Sequence, residues 1–171
     1  MTKQYKYIGS QDIIDNLPEK SARVYVNAAK DILEWIKDSK QSPEYDSCYI
    51  ATFIISTDSK LWINDRHSEH VLCANGKNVL SAGEITFEVG KNAIEIVAIS
   101  NQSTGYCPEP DSWASVVIAL RNTKIPHPDD FTSKFIFRKC DNCGQKNIVK
   151  DDWYFCAVCD APLSQTWNFY I

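Results

Sequence analysis

The sequence predicts an α+β fold, and three of its features carry that expectation: helical periodicity near the N-terminus, a central run of β-branched and aromatic segments cut by turn residues, and a second helical stretch after it. Strands grouped between helices, rather than alternating with them, favour an antiparallel sheet of about five strands with two flanking helices. A chain of 171 residues, 44% hydrophobic and 23% charged, has enough apolar surface for one core plus a small appendage.

Taken in order, Ser10 is placed to cap a turn of helix through Asp15, and Pro18 permits a fresh start because proline is tolerated in a helix's first turn but not inside one. Between Glu19 and Lys40, Ala22, Tyr25, Val26, Ala29, Ile32, Leu33 and Ile36 recur at three- and four-residue steps, with Lys20, Asn27, Lys30, Glu34 and Asp38 opposite. This pattern predicts one amphipathic helix with its stripe on the core, ended by Gln41-Ser42-Pro43. Strands are then expected at Cys48 to Ser56, Leu61 to Asn64, Glu69 to Cys73, Val79 to Phe87 and Ala93 to Ile99. Thr57-Asp58-Ser59, Asn75-Gly76-Lys77 and Gly90-Lys91-Asn92 supply the turns, and the Asn75-Gly76 pair accepts the positive φ of a tight hairpin. The result is a meander in which the Glu69 strand runs beside the Val79 strand.

The loop from Asn101 to Asp111 leads into the second helix, capped by Asp111 or Ser112, with Trp113, Val116, Val117 and Leu120 on its apolar face. Ile125-Pro126-His127-Pro128-Asp129-Asp130 reads as a stiff linker. It divides an α+β domain, residues 1–130, from a C-terminal unit, residues 131–171.

That unit carries the strongest motif. Of seven cysteines, four form the pairs Cys140-x2-Cys143 and Cys156-x2-Cys159, twelve residues apart, a spacing that lets two knuckles close a tetrahedral sulfur shell. Gly144 and Asp160 follow the second cysteine of each pair, where a left-handed backbone is needed. Asn147-Ile148-Val149 and Trp153-Tyr154-Phe155 flank the turn Lys150-Asp151-Asp152, so strand, turn and strand complete a zinc ribbon with one structural Zn2+. Four thiolates leave no open position for substrate, so the metal is expected to hold structure rather than catalyse. Lys134 to Arg138 is expected to extend the main sheet, and Trp167, Phe169 and Tyr170 to fold back onto the ribbon or the upstream domain.

Neither a signal-like apolar run at the start nor a membrane-length apolar stretch is found, and paired cysteines fit a reducing compartment, so a cytoplasmic protein without membrane contact is expected. A net charge of −4 weighs against a nucleic-acid partner. From Lys134 onward five basic residues face four acidic ones, so the C-terminal unit has no basic footprint either.

In the middle of the chain stand Phe53-Ile54-Ile55-Ser56-Thr57, His67-Ser68-Glu69-His70, Gly76, Ala82-Gly83-Glu84-Ile85 and Asn101-Gln102-Ser103-Thr104-Gly105-Tyr106-Cys107-Pro108, followed by a helix. This order, over about seventy residues, resembles the core module of plant IQ-motif-containing calmodulin-binding proteins and related uncharacterised bacterial proteins. Gly105 stands where that family's loop has a histidine, and the basic calmodulin-binding helix is missing, so the resemblance implies a fold and a location on it, not calmodulin as partner.

Within that stretch, His67 and His70 flank Glu69, and Glu84, Tyr106 and Cys107 are expected to converge with His70 at one end of the sheet. Histidine is poised for proton transfer near neutral pH, and Cys, Tyr and Glu could serve beside it as nucleophile or relay. The bland alternative is a hydrogen-bonded histidine at a sheet edge with Tyr106 packing the loop. Two classes of function follow: a binding or adaptor protein that uses the ribbon to hold a protein partner, which we prefer, or a small transferase or hydrolase using His70 with Tyr106 or Cys107. Nucleic-acid binding through the ribbon is a third.

Overall fold

A computed structural model describes residues 1–170. Its elements in chain order are α1 (Gln11–Asp15), β1 (Val24–Val26), α2 (Ala29–Asp38), β2 (Cys48–Ser56), β3 (Leu61–Asp65), α3 (His70–Cys73), β4 (Val79–Val89), β5 (Ile94–Ile99), α4 (Trp113–Thr123), β6 (Ile136–Lys139) and β7 (Lys146–Val149). Five antiparallel strands form one sheet in the order β1-β3-β2-β4-β5, and β6 pairs with β7 in a separate two-stranded sheet. The fold is α+β, as the grouping of strands between helices implied.

Two hairpins build the sheet. In β2–β3 the turn places Ser59 at a φ of 60°, and the Ser56 amide bonds the Lys60 carbonyl at 3.0 Å. In β4–β5 the Gly90 amide closes on the Ala93 carbonyl at 2.9 Å. The long strands β2 and β4 then pair with each other from Cys48↔Glu88 to Ser56↔Val79.

Alternation along these strands makes two apolar faces. Phe53, Ile55, Ile63, Ile85 and Phe87 point to one, which α2 and α4 cover with Ile32, Trp35, Val116 and Leu120. Ile54 and Ala82 point to the other, under Val71 and Cys73 of α3, the N-terminal Tyr5, and Tyr106. With both faces buried, the central strands read as continuous apolar runs.

Three expectations are corrected. The stretch Glu19–Lys40 is not one helix: residues 24–26 form the edge strand β1, and α2 begins only at Ala29. Val24-Tyr25-Val26 is a β-branched and aromatic triplet, and the edge of β3 offers it a partner, Tyr25 opposite Trp62. Arg23 fastens the crossing by stacking its guanidinium 3.9 Å from the Trp62 ring centroid and donating to the Cys73 carbonyl at 3.1 Å. Asp31 then accepts the Asn27 and Ala28 amides, both at 2.8 Å, and starts α2. This phase buries Trp35 and leaves Leu33 exposed.

The expected strand Glu69–Cys73 is a single helical turn, α3, so it does not lie beside β4; β2 occupies that position. A short apolar run has no periodicity to tell helix from strand. Asn75 and Gly76 do take positive φ, 53° and 74°, but they end this turn, the Gly76 amide reaching back to the Val71 carbonyl at 2.9 Å.

Nor does the segment from Lys134 to Arg138 extend the main sheet: β6 pairs with β7, from Ile136↔Val149 to Lys139↔Lys146. The chain just before it runs along the outer edge of β5, with the Ile96 amide on the Pro126 carbonyl, the Thr132 amide on the Ile99 carbonyl, and one parallel bridge, Ser100↔Ser133. That edge is thereby closed to further strands.

Candidate metal centre

Cys140, Cys143, Cys156 and Cys159 converge, with all four sulfurs within 4.8 Å of one another. Two repeats of one backbone device bring them there. In the first knuckle the Cys140 amide bonds the Gln145 carbonyl and the Gly144 amide bonds the Cys140 carbonyl; in the second the Cys156 amide bonds Ala161 and the Asp160 amide bonds Cys156. Gly144 and Asp160 take φ of 78° and 57°, as the spacing predicted for the wrapping position.

The sulfurs of Cys140 and Cys159 lie 3.6 Å apart, as do those of Cys143 and Cys156. A disulfide needs ~2.05 Å, whereas four sulfurs at ~2.3 Å from one tetrahedral ion stand ~3.8 Å apart. The geometry fits a metal and not a covalent bond. The Val158 amide, 3.4 Å from the Cys156 sulfur, helps lower that thiol's pKa to about 6 and the Asn142 side-chain amide lowers that of Cys159, whereas desolvation and the three neighbouring sulfurs push Cys143 up. Thiolate character is what metal ligation requires.

Sequence reasoning missed the residues that support this cluster. Asn147, buried in β7, donates to the Gln145 carbonyl of the first knuckle and to the Cys156 sulfur of the second, while its carbonyl accepts the Ala157 amide at 2.9 Å. The available signal was an asparagine two residues before Val149, on the same inward face of the short strand Lys146-Asn147-Ile148-Val149. Asn101, fully buried, donates to the Pro108 and Phe135 carbonyls and accepts the Phe135 amide at 2.7 Å, pinning the incoming chain to the main body.

The C-terminal tail folds back as expected, onto the upstream body. The Trp167 indole donates to the Cys107 carbonyl at 2.7 Å, its ring meets Tyr5 edge-on at 5.6 Å, and Tyr170 hydrogen-bonds the Lys6 backbone. Lys146 reaches the Ile8 and Thr104 carbonyls, and the buried guanidinium of Arg138 meets Glu109 at 3.4 Å and the Gln165 carbonyl at 3.1 Å. The four-cysteine unit, the tail and loop 101–109 are thus one connected network.

The other candidate residues divide. His70, His67, Glu69 and Glu84 line one polar cavity of about 280 Å³. Tyr106 and Cys107 do not. Tyr106 is buried in the second core, donates to the Lys77 carbonyl at 2.8 Å, and has its pKa raised by burial. Burial pushes the Cys107 thiol up to about 12, so at neutral pH it is protonated and a poor nucleophile.

His70 donates from Nε2 to the Gly83 carbonyl at 2.9 Å, and burial lowers its pKa to about 4. The unfolded imidazole, near 6.5, binds a proton that the folded one refuses, so this group's contribution is complete above about pH 6.5 and is lost as pH falls toward 4. Between about pH 7 and pH 5 the wild type is expected to lose ~2 kcal/mol more stability than His70→Gln, whose amide can still donate to Gly83. Equal losses in denaturant titrations at the two pH values would refute this.

Comparison with protein-family models, with curated proteins and with solved structures finds no match, so the resemblance to the plant calmodulin-binding module has no support there. Among the described residues no helix is long and apolar enough to cross a membrane.

Proposed function

We propose that the protein is an adaptor: a zinc ribbon, holding one structural Zn2+ on Cys140, Cys143, Cys156 and Cys159, presents an aromatic surface to a protein partner. The observation that carries this reading is the pair Trp153 and Phe155, 67% and 44% exposed with ring centroids 4.8 Å apart, together with Val158 at 68%. Large apolar side chains held outward by a rigid unit are the usual anchors of protein interfaces. Zinc suits a closed four-sulfur shell, and bound there it supplies no chemistry beyond fixing the two knuckles.

Basic residues of the unit are largely committed internally, which favours a protein over a nucleic-acid partner. Arg138 is buried on Glu109, Lys146 is spent on two carbonyls, and Lys134 pairs with Asp130. Few cations remain free to meet phosphates.

The test is affinity capture with the full zinc-loaded chain, followed by binding measurements on the purified partner. Wild type and Ile118→Ser, which removes an exposed apolar residue elsewhere, are expected to retain the same protein, and Trp153→Ser with Phe155→Ser to bind it at least about tenfold more weakly. Equal capture by all three, or salt-sensitive capture of nucleic acid, would refute the adaptor.

A further inference from the structure

The second face of the sheet changes character partway along its central strands. Ile54 and Ala82 are cross-strand partners beneath α3 and Tyr106, but one pair further along the same face the partners are Thr52 and Glu84. Over this polar pair the 280 Å³ cavity opens, walled by residues 66–70 on one side and by Gln102 and Thr104 on the other.

The walls are built. Thr52 Oγ1 serves the Arg66 and Ser68 carbonyls, both at 3.3 Å, and Asp65 accepts the His67 amide at 2.8 Å. Hydrogen bonds from Gln41 and that amide hold the Asp65 carboxyl below its usual range, so the anchor stays ionised. Backbone and anchors are tied down, yet two groups lining the cavity keep acceptor capacity that the protein does not use. Glu84 has only the Arg66 guanidinium, at 3.8 Å, and Arg66 is shared with Glu44 at 3.0 Å. The single proton of neutral His70 is used on Gly83, so Nδ1 keeps a lone pair with no protein partner.

The balance of charge selects the ligand. One arginine stands against Glu44, Glu69 and Glu84, so an anion is repelled. Among the described residues the only cluster with converging metal-ligand atoms is the four cysteines, so a bare cation has no shell here. What the cavity offers is carboxylate acceptors and an imidazole lone pair, and what satisfies them is a cation with several N–H donors in a plane. A guanidinium presents two parallel N–H groups to a carboxylate and further ones to a neighbour, and it sheds water more readily than an ammonium.

We propose that this cavity binds a guanidinium group through Glu84 and His70 Nδ1, with Glu69 balancing its charge, carried either by a small free molecule or by an arginine side chain. This cavity shares no residue with the exposed ribbon aromatics, so binding there is independent of them.

Full-length metal-loaded protein, labelled with nitrogen-15, is titrated with N-acetyl-arginine methylamide, its citrulline and lysine counterparts, and the peptide Gly-Gly-Arg-Gly-Gly. The arginine probes are expected to give saturable shifts of the Glu69, His70, Glu84 and Thr104 amides. Citrulline, of the same shape but uncharged, and lysine, charged but not planar, should bind at least about tenfold more weakly. Glu84→Gln, at a partly exposed position, should weaken the arginine probe by about tenfold or more and leave shifts elsewhere in the spectrum unchanged. Tighter binding of the peptide than of the methylamide assigns the group to a protein side chain, and equal binding to a free molecule; both uphold recognition. Absence of saturable shifts at these amides, citrulline or lysine binding equal to arginine, or unaltered affinity in Glu84→Gln would each overturn it.

Discussion

Cys156→Ser is expected to remove the bound metal and unfold β6, β7 and both knuckles, while the five-stranded sheet stays folded. The apolar cluster of the C-terminal unit is small: besides Cys140 and Cys156 it buries Val149 and Leu163, with Ile136, Tyr154 and Ala161 partly buried, and Phe137 is buried alongside on β6. Each buried aliphatic is worth about 2 kcal/mol, against on the order of 10 kcal/mol or more for zinc on a structural thiolate site. Metal binding and folding of this unit are therefore expected to be one equilibrium. Metal analysis of wild type should give close to one zinc per chain and of the variant close to none, with amide protection lost from 136–163 and kept in β2 and β4. Iron in the wild type, a disulfide between these cysteines after reduction, or a Cys156→Ser protein with an intact ribbon would defeat the prediction. Tail residues should loosen as well, because Arg138 and Lys139 hold Gln165 and Asn168 in place.

Gly83→Ala is expected to cost about 3 kcal/mol or more, or to abolish folding, through overpacking that has no room to relax. A Cβ at Gly83 would lie 1.8 Å from the Ser100 carbonyl oxygen and 2.8 Å from its carbon, backbone atoms at the end of β5 that cannot swing aside. Gly144→Ala is the informative contrast. Its Cβ would meet nothing within 4 Å, but its φ of 78° leaves an alanine with only the left-handed penalty of about 1 to 2 kcal/mol. Chemical denaturation of the two variants separates them, since Gly83→Ala should lower the global midpoint and Gly144→Ala should chiefly weaken metal retention. A Gly83→Ala protein as stable as wild type would show that Ser100 can withdraw.

Both sites were visible in the sequence to different depths. The convergence of the four cysteines was legible, because it depends on the spacing within each pair and on a residue after it that accepts a left-handed backbone. The second site was half legible. His70 and Glu84 do share a cavity, but Tyr106 and Cys107, further along the loop that starts at Asn101, are buried in the core instead. A loop's residue types announce it; which side chains point inward depends on what packs above it, here the Trp167 tail sixty residues downstream.

The sequence by itself determined what depends on neighbours a few residues away. The turns at residues 57–59 and 90–92, the long strands they join, α4 with its apolar face, and the knuckle geometry at Gly144 and Asp160 are local matters of φ preference and periodicity. Tertiary structure decided the elements whose local preferences were evenly balanced. Val24–Val26 left a helical pattern because the open edge of β3 offered hydrogen bonds and a Trp62 ring; His70–Cys73 coiled because Val71 and Ala74, three residues apart, then reach the sheet's second face together; and the segment after Asp130 closed β5's edge before β6 turned away to pair with β7. Short segments carry too little intrinsic preference to outweigh a long-range partner, so the partner chooses.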